Sequence, residues 1–146
     1  MKKLIAIVLI SASLISPAFA ASGKTTVSKT TLDHFSSDYN GATGIWDTHD
    51  SYDEVLFFWH NILMQSYYDK SGELIGTFHH VEASTLPAKG LNTIQTKYKN
   101  YLLKETDIME KPGQDSAYYV TLVGPSKILT VQISLDGEVS IVDTQK

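Results

Sequence analysis

The sequence predicts an α+β fold: two tandem units, each a helix followed by a four-stranded antiparallel meander, together forming one sheet with the helices packed on one face. Three observations predict it. The turns Asp69-Lys70-Ser71-Gly72 and Leu135-Asp136-Gly137 both place Gly where a bulged hairpin needs a left-handed residue. With Gly72 set against Gly137, apolar residues align without gaps: Val55 on Val120, Phe57 on Leu122, Met64 on Leu129, Tyr68 on Ile133, Leu74 on Val139. Each aligned block follows an apolar stripe at helical spacing, Leu32, Phe35, Tyr39 in one case and Leu91, Ile94, Tyr98 in the other.

The elements follow in chain order. Lys2 and Lys3, an apolar run from Leu4 to Ile15, and Ala18-Phe19-Ala20 read as a secretory signal peptide over residues 1–20. The run is too short to span a bilayer, and no later stretch is apolar enough to do so. No Cys stands at the cleavage point, so a lipoprotein anchor is not expected, and the destination is periplasmic or secreted. Residues 21–146 then form a single domain, with repeats over about 25–83 and 84–146. The first helix carries Leu32, Phe35 and Tyr39 and stops at Asn40-Gly41. The second starts near Pro87, where a missing N–H costs nothing, and Tyr101 and Leu102 continue its stripe. The turn His60-Asn61 joins two strands, setting Trp59 opposite Ile62 and Phe57 opposite Met64. The bulged turn at Gly72 sets Tyr68 opposite Leu74, and Pro125-Ser126 aligns with His60-Asn61 as punctuation.

Removal of Lys2 and Lys3 from the 12 basic residues leaves ten lysines against 16 acids, a formal charge of −6, with no Arg. A chain of that balance lacks the forked donors that grip phosphate, so nucleic acid and anionic lipid are not expected partners. A basic or apolar protein or peptide is. With no Cys there is no disulfide, thiolate nucleophile or Cys metal site.

Alternation along the strands assigns faces. One face collects Val55, Phe57, Trp59, Ile62, Met64, Tyr68, Leu74 and Phe78, with Val120, Leu122, Leu129, Val131, Ile133, Val139 and Ile141 as counterparts. Both sets are apolar, so this face lies under the helices. On the opposite face the second half carries Thr121, Val123, Ile128, Gln132 and Ser140, as a solvated sheet should. The first half carries Leu56, Phe58, Leu63, Tyr67 and Ile75, which is too apolar for an open surface. An exposed apolar patch marks a contact surface, and these five residues are the expected partner-binding site. The alternatives are cover by the N-terminal segment 21–31 or by a loop, and a homodimer.

Other candidates are weaker. All five histidines (His34, His49, His60, His79, His80) lie in the first half. A metal-binding or envelope-sensing role for that half is the alternative reading, with Asp47, Asp50 or Asp53 as helpers. Adjacent His79 and His80, however, point to opposite faces of a strand. The acidic stretch WDTHDSYDE, Trp46 to Glu54, lacks the spacing and Gly of a calcium loop and reads as a solvated hairpin. No G-x-S-x-G, H-E-x-x-H or phosphate loop is present, so no enzyme and no cofactor are expected.

The ordered pattern Phe35, Tyr39, Trp46, Tyr52, Met64, Tyr67, Tyr68, Asp69, Gly72-Glu73-Leu74-Ile75-Gly76, Leu86-Pro87, Ile94, Tyr98, Tyr118-Tyr119-Val120, Leu122 and Asp136-Gly137 resembles the PepSY-like, beta-lactamase-inhibitor-like family of exported bacterial proteins. The resemblance spans nearly all of residues 21–146. It implies two helix-plus-four-strand units and an extracytoplasmic location. It implies no inhibitory residue, because no inhibitory motif is matched, and fold does not fix function. After Gly76 the chain departs from the pattern: Phe78-His79-His80 stand where a basic residue is common.

Overall fold

The computed structural model describes residues 26–146. The expected signal peptide, 1–20, and its cleavage point lie outside the described residues. Helix α1 (Lys29–Asp38) starts at Ser28, whose hydroxyl accepts from the Thr31 backbone N–H at 3.0 Å and so satisfies a free first-turn donor. It stops before Gly41, which takes φ +84°, a left-handed conformation that costs Gly nothing. Four strands follow: β1 (Gly44–Thr48), β2 (Tyr52–Trp59), β3 (Ile62–Asp69) and β4 (Leu74–His80). A 3₁₀ turn, Ala83–Thr85, leads to α2 (Ala88–Lys97), for which Pro87 is the N-cap. The chain ends in β5 (Leu102–Glu110), β6 (Ala117–Val123), β7 (Ile128–Ser134) and β8 (Val139–Gln145). Each strand pairs antiparallel with its sequence neighbour, in the order β1 to β8.

The expected division into two tandem units is corrected by this sheet, which is one continuous eight-stranded meander. The ladder crosses the middle without a seam, from Thr77↔Glu110 to His80↔Asp107. The Phe78 ring packs on Tyr119 across the same junction, with centroids 5.5 Å apart. The physical reason is the edge: a four-stranded unit would leave the β4 backbone groups unpaired, and β5 satisfies them. The broader α+β description stands, with sheet predominating over two helices of 10 residues each.

Side-chain parity carried through the registers places Val55, Phe57, Met64, Tyr68, Thr77, Val120, Leu122, Leu129, Val131 and Ile133 on one face. Both helices cover that face. Phe35 of α1 is buried with Val55, Phe57, Met64 and Tyr68. Ile94 of α2 is buried with Val120, Leu122, Leu129, Val131 and Ile133. Gly90 lets α2 approach closely, since a Cβ there would meet the Ile133 side chain. The turns at Gly72 (φ +88°) and Gly137 (φ +84°) lie against the starts of α1 and α2, at Thr30–Thr31 and Lys89–Gly90.

The His60-Asn61 turn has φ 49° and 67°, the left-handed pair that a two-residue hairpin with native twist needs. It delivers the expected pairings Phe57↔Met64 and Trp59↔Ile62. Tyr68↔Leu74 is also as expected, but a bulge follows, because the next pair is Tyr67↔Gly76. Ile75 is the extra residue. One extra residue inverts every later side chain, so Phe78 faces away from the helices, contrary to the sequence reading. The stripe of α2 also ends earlier than expected: Tyr101 sits in the turn after the helix, and Leu102 opens β5 at 70% exposure.

Candidate functional site

The helix-free face of β1–β6 is the candidate site. Parity fixes its occupants. Phe58 stands directly opposite Leu63, Leu56 opposite Gln65, and Tyr67 opposite Glu54 on one side and Gly76 on the other. Of the five residues singled out in the sequence, Leu56, Phe58, Leu63 and Tyr67 are thus brought together on adjacent strands. Ile75 is set apart as the unpaired bulge residue. Phe58 is 67% exposed, and Ile45, opposite Leu56 on β1, is 56% exposed. Leu56, Leu63, Tyr67 and Ile75 are half-buried.

The face also holds residues that sequence reasoning missed. A row of rings crosses the sheet: His49 stacks on Tyr52 at 4.4 Å, Tyr52 meets Tyr67 at 5.7 Å, Tyr67 meets Phe78 at 5.8 Å, and Phe78 meets Tyr119 at 5.5 Å. Met109, opposite Phe78, is buried and lies over Gly76, where a Cβ would come within 2.7 Å of its Cε. The row is therefore tightly supported at the sheet centre and open toward β1 and β2. Burial raises the phenol pKa of Tyr67, of Tyr52 and of Tyr119, with Glu54 adding to the first two. All three stay neutral hydrogen-bonding groups near neutral pH.

Carboxylates flank the row at both ends. Asp47 and Glu54 are directly opposed on β1 and β2. His49 Nε2 lies 3.6 Å from Asp47 Oδ2 and 3.7 Å from Glu54 Oε2, and Gln65 Nε2 donates to Glu54 Oε1. At the centre, Asp107 faces His80 across β4–β5, Nδ1 to Oδ1 at 3.5 Å, with Glu105 two residues along β5. Burial, then the charge of Glu105, pushes Asp107 up to about 6, against an opposing pull from His80.

An acid whose folded-state pKa is raised binds more protons when folded than when unfolded. Its contribution is most favourable below the ordinary value near 3.8 and is lost as pH rises through about 6. Asp107→Asn is therefore expected to match the parent in thermal stability at about pH 3.5 and exceed it at about pH 7.5 in EDTA. An equal melting temperature at both would contradict the assignment.

The five histidines do not converge. His34 Nδ1 contacts the Gly72 carbonyl at 2.6 Å beside α1, His60 stacks on Trp59 in its turn, and His79 lies on the helix-covered face. Only His49 and His80 reach the helix-free face, at opposite ends of the aromatic row. A shallow cleft between α1 and the Gly72 turn, lined by His34, Asp38, Glu73 and Pro112, lies away from this face.

No family model and no curated protein matches the chain. Among solved structures the fold is similar to a DUF2874 family protein from Bacteroides uniformis, 13% identical, with TM-score 0.71 over 82% of this chain and 89% of that one. It is also similar to a BLIP-like, that is beta-lactamase-inhibitor-like, protein from Bacteroides fragilis, 18% identical, with TM-score 0.68 over 84% of this chain and 88% of that one. A third, described as a candidate periplasmic protein of Bacteroides eggerthii, is 11% identical with TM-score 0.71 over 82% and 88%. At these identities the likeness establishes a BLIP-like fold and nothing finer. Among the described residues no helix is long and apolar enough to cross a membrane.

Proposed function

We propose that this chain is an exported, non-enzymatic binding module, inhibitor-like in form, that holds a protein or peptide on its helix-free face. Residues 1–20 serve as the cleaved signal peptide, and 21–146 act as a single PepSY-like, beta-lactamase-inhibitor-like domain in the periplasm or outside the cell. The contact is made by Leu56, Phe58, Leu63, Tyr67 and Ile75. One observation carries this reading: Phe58, a large aromatic, is 67% exposed beside exposed Ile45 on a sheet face that no helix covers. Aromatic side chains of this kind are frequent interface anchors. The carboxylates Asp47 and Glu54, directly opposed at the β1–β2 end of the ring row, favour a basic segment, whose alkyl stems lie on the rings while its charge meets Glu54.

The test is capture from periplasmic extract. Phe58→Ser is expected to abolish a capture that survives Ser140→Ala, on the same face but in β8. Phe58→Ser should itself cost less than about 1 kcal/mol, since little of the ring leaves water on folding. A loss of several kcal/mol in denaturant would make Phe58 core and remove the site. Sedimentation of the parent across a concentration series distinguishes a homodimer on this face from a foreign partner.

A further inference from the structure

We infer that His80, Glu105 and Asp107 form a binding site for a transition-metal dication, zinc above all, at the centre of the helix-free face. The site is built by strand pairing. His80 on β4 and Asp107 on β5 are direct partners, and Glu105 is two residues from Asp107, so all three project from the same face. One donor atom from each lies within 4.8 Å of the other two. His80 Nδ1 and Asp107 Oδ1 are separated by 3.5 Å. Between imidazole and carboxylate that is a long, weak contact. It is the spacing of two ligands on one ion, since bonds of about 2.1 Å at the tetrahedral angle hold donors about 3.4 Å apart. Glu105 offers a carboxylate oxygen to the same cluster.

Charge and donor type agree with this geometry. Two carboxylates share a half-buried patch of sheet, and no lysine is ion-paired with either among the described residues, where the lysine pairs are Lys29–Asp33, Lys70–Asp53 and Lys89–Glu138. A dication removes their mutual repulsion. One imidazole nitrogen with two carboxylate oxygens suits zinc, or copper and nickel, better than calcium or magnesium, which take oxygen alone. Three protein ligands leave a fourth position open to water or to a group on a bound molecule. The inference does not depend on the partner-binding reading, because it rests on β4 and β5 rather than on Phe58.

The experiment is calorimetric titration of Zn²⁺ into the purified protein in a non-chelating buffer, with Ca²⁺ as comparison. One Zn²⁺ per chain is expected, with no comparable Ca²⁺ heat. His80→Ala and Glu105→Gln should each weaken Zn²⁺ binding roughly tenfold or more. His79→Ala, on the other face, and His49→Ala, at the far end of the ring row, should leave it unchanged. His80 is largely exposed, so its removal is compatible with folding, which circular dichroism checks. The inference is overturned if Zn²⁺ does not bind below about millimolar. It is equally overturned if binding survives both His80→Ala and Glu105→Gln, or is lost with His49→Ala. Capture by the Phe58 surface, repeated in EDTA, reads the partner site separately.

Discussion

Phe35→Ala is expected to cost about 3–5 kcal/mol, the largest loss available from α1. Phe35 is the only large apolar side chain that α1 buries, at 4% exposure. Its ring meets Phe57 at 4.9 Å, Trp46 at 5.3 Å, Tyr39 at 5.5 Å and Tyr68 at 6.4 Å, three of them edge-on. Truncation removes the ring's transfer free energy and leaves a void among stiff aromatic neighbours that cannot close around it. Leu32 is 39% exposed and does not compensate. Urea denaturation with an unchanged m-value is the measurement. A loss under about 1 kcal/mol would mean that α1 does not seal this half of the core.

Lys70→Met is expected to cost about 3 kcal/mol although the position is near the surface. Its Nζ lies 2.6 Å from Asp53 Oδ1, and the Asp53 side chain is only 3% exposed while Lys70 is 40% exposed. Met keeps much of the stem's packing and removes the charge. The Asp53 carboxylate is then left in the interior without its counter-ion, and that desolvation outweighs the modest value of the pair itself. The double variant Lys70→Met/Asp53→Asn should recover most of the loss, because neither charge then remains. If the double variant is no more stable than Lys70→Met alone, the burial of Asp53 is not what the ion pair offsets.

Much of the fold was legible because short-range rules governed it. Phe35 and Ile94 mark the helix faces that are buried, and the turn chemistry of His60-Asn61 and Gly72 gave the registers Phe57↔Met64 and Tyr68↔Leu74. Two things escaped because neither is set by turn chemistry, a bulge within a hairpin strand and a pairing across an intervening helix. The bulge at Ile75 inverted Phe78, turning a supposed core residue into the middle ring of the aromatic row. The register of β4 against β5, which has no local signature, ran the expected sheet through its middle as one continuous meander in place of two tandem units, and placed His80 beside Asp107. The candidate contact residues were legible on β2 and β3, where the hairpin turn fixes the pairing, and less so at Ile75, beyond the bulge. Histidine counting in the first half missed the cluster at His80, because its other two members belong to β5.

The strict neighbour-to-neighbour strand order bears on how the chain reaches its native state. Most β proteins fold slowly because strands far apart in sequence must find one another. Here six of the seven ladders join strands separated by a turn or a short loop, and only β4–β5 must close around an intervening helix. Rapid zippering of hairpins on either side, followed by a single slower closure between Thr77–His80 and Asp107–Glu110, is the route this topology favours.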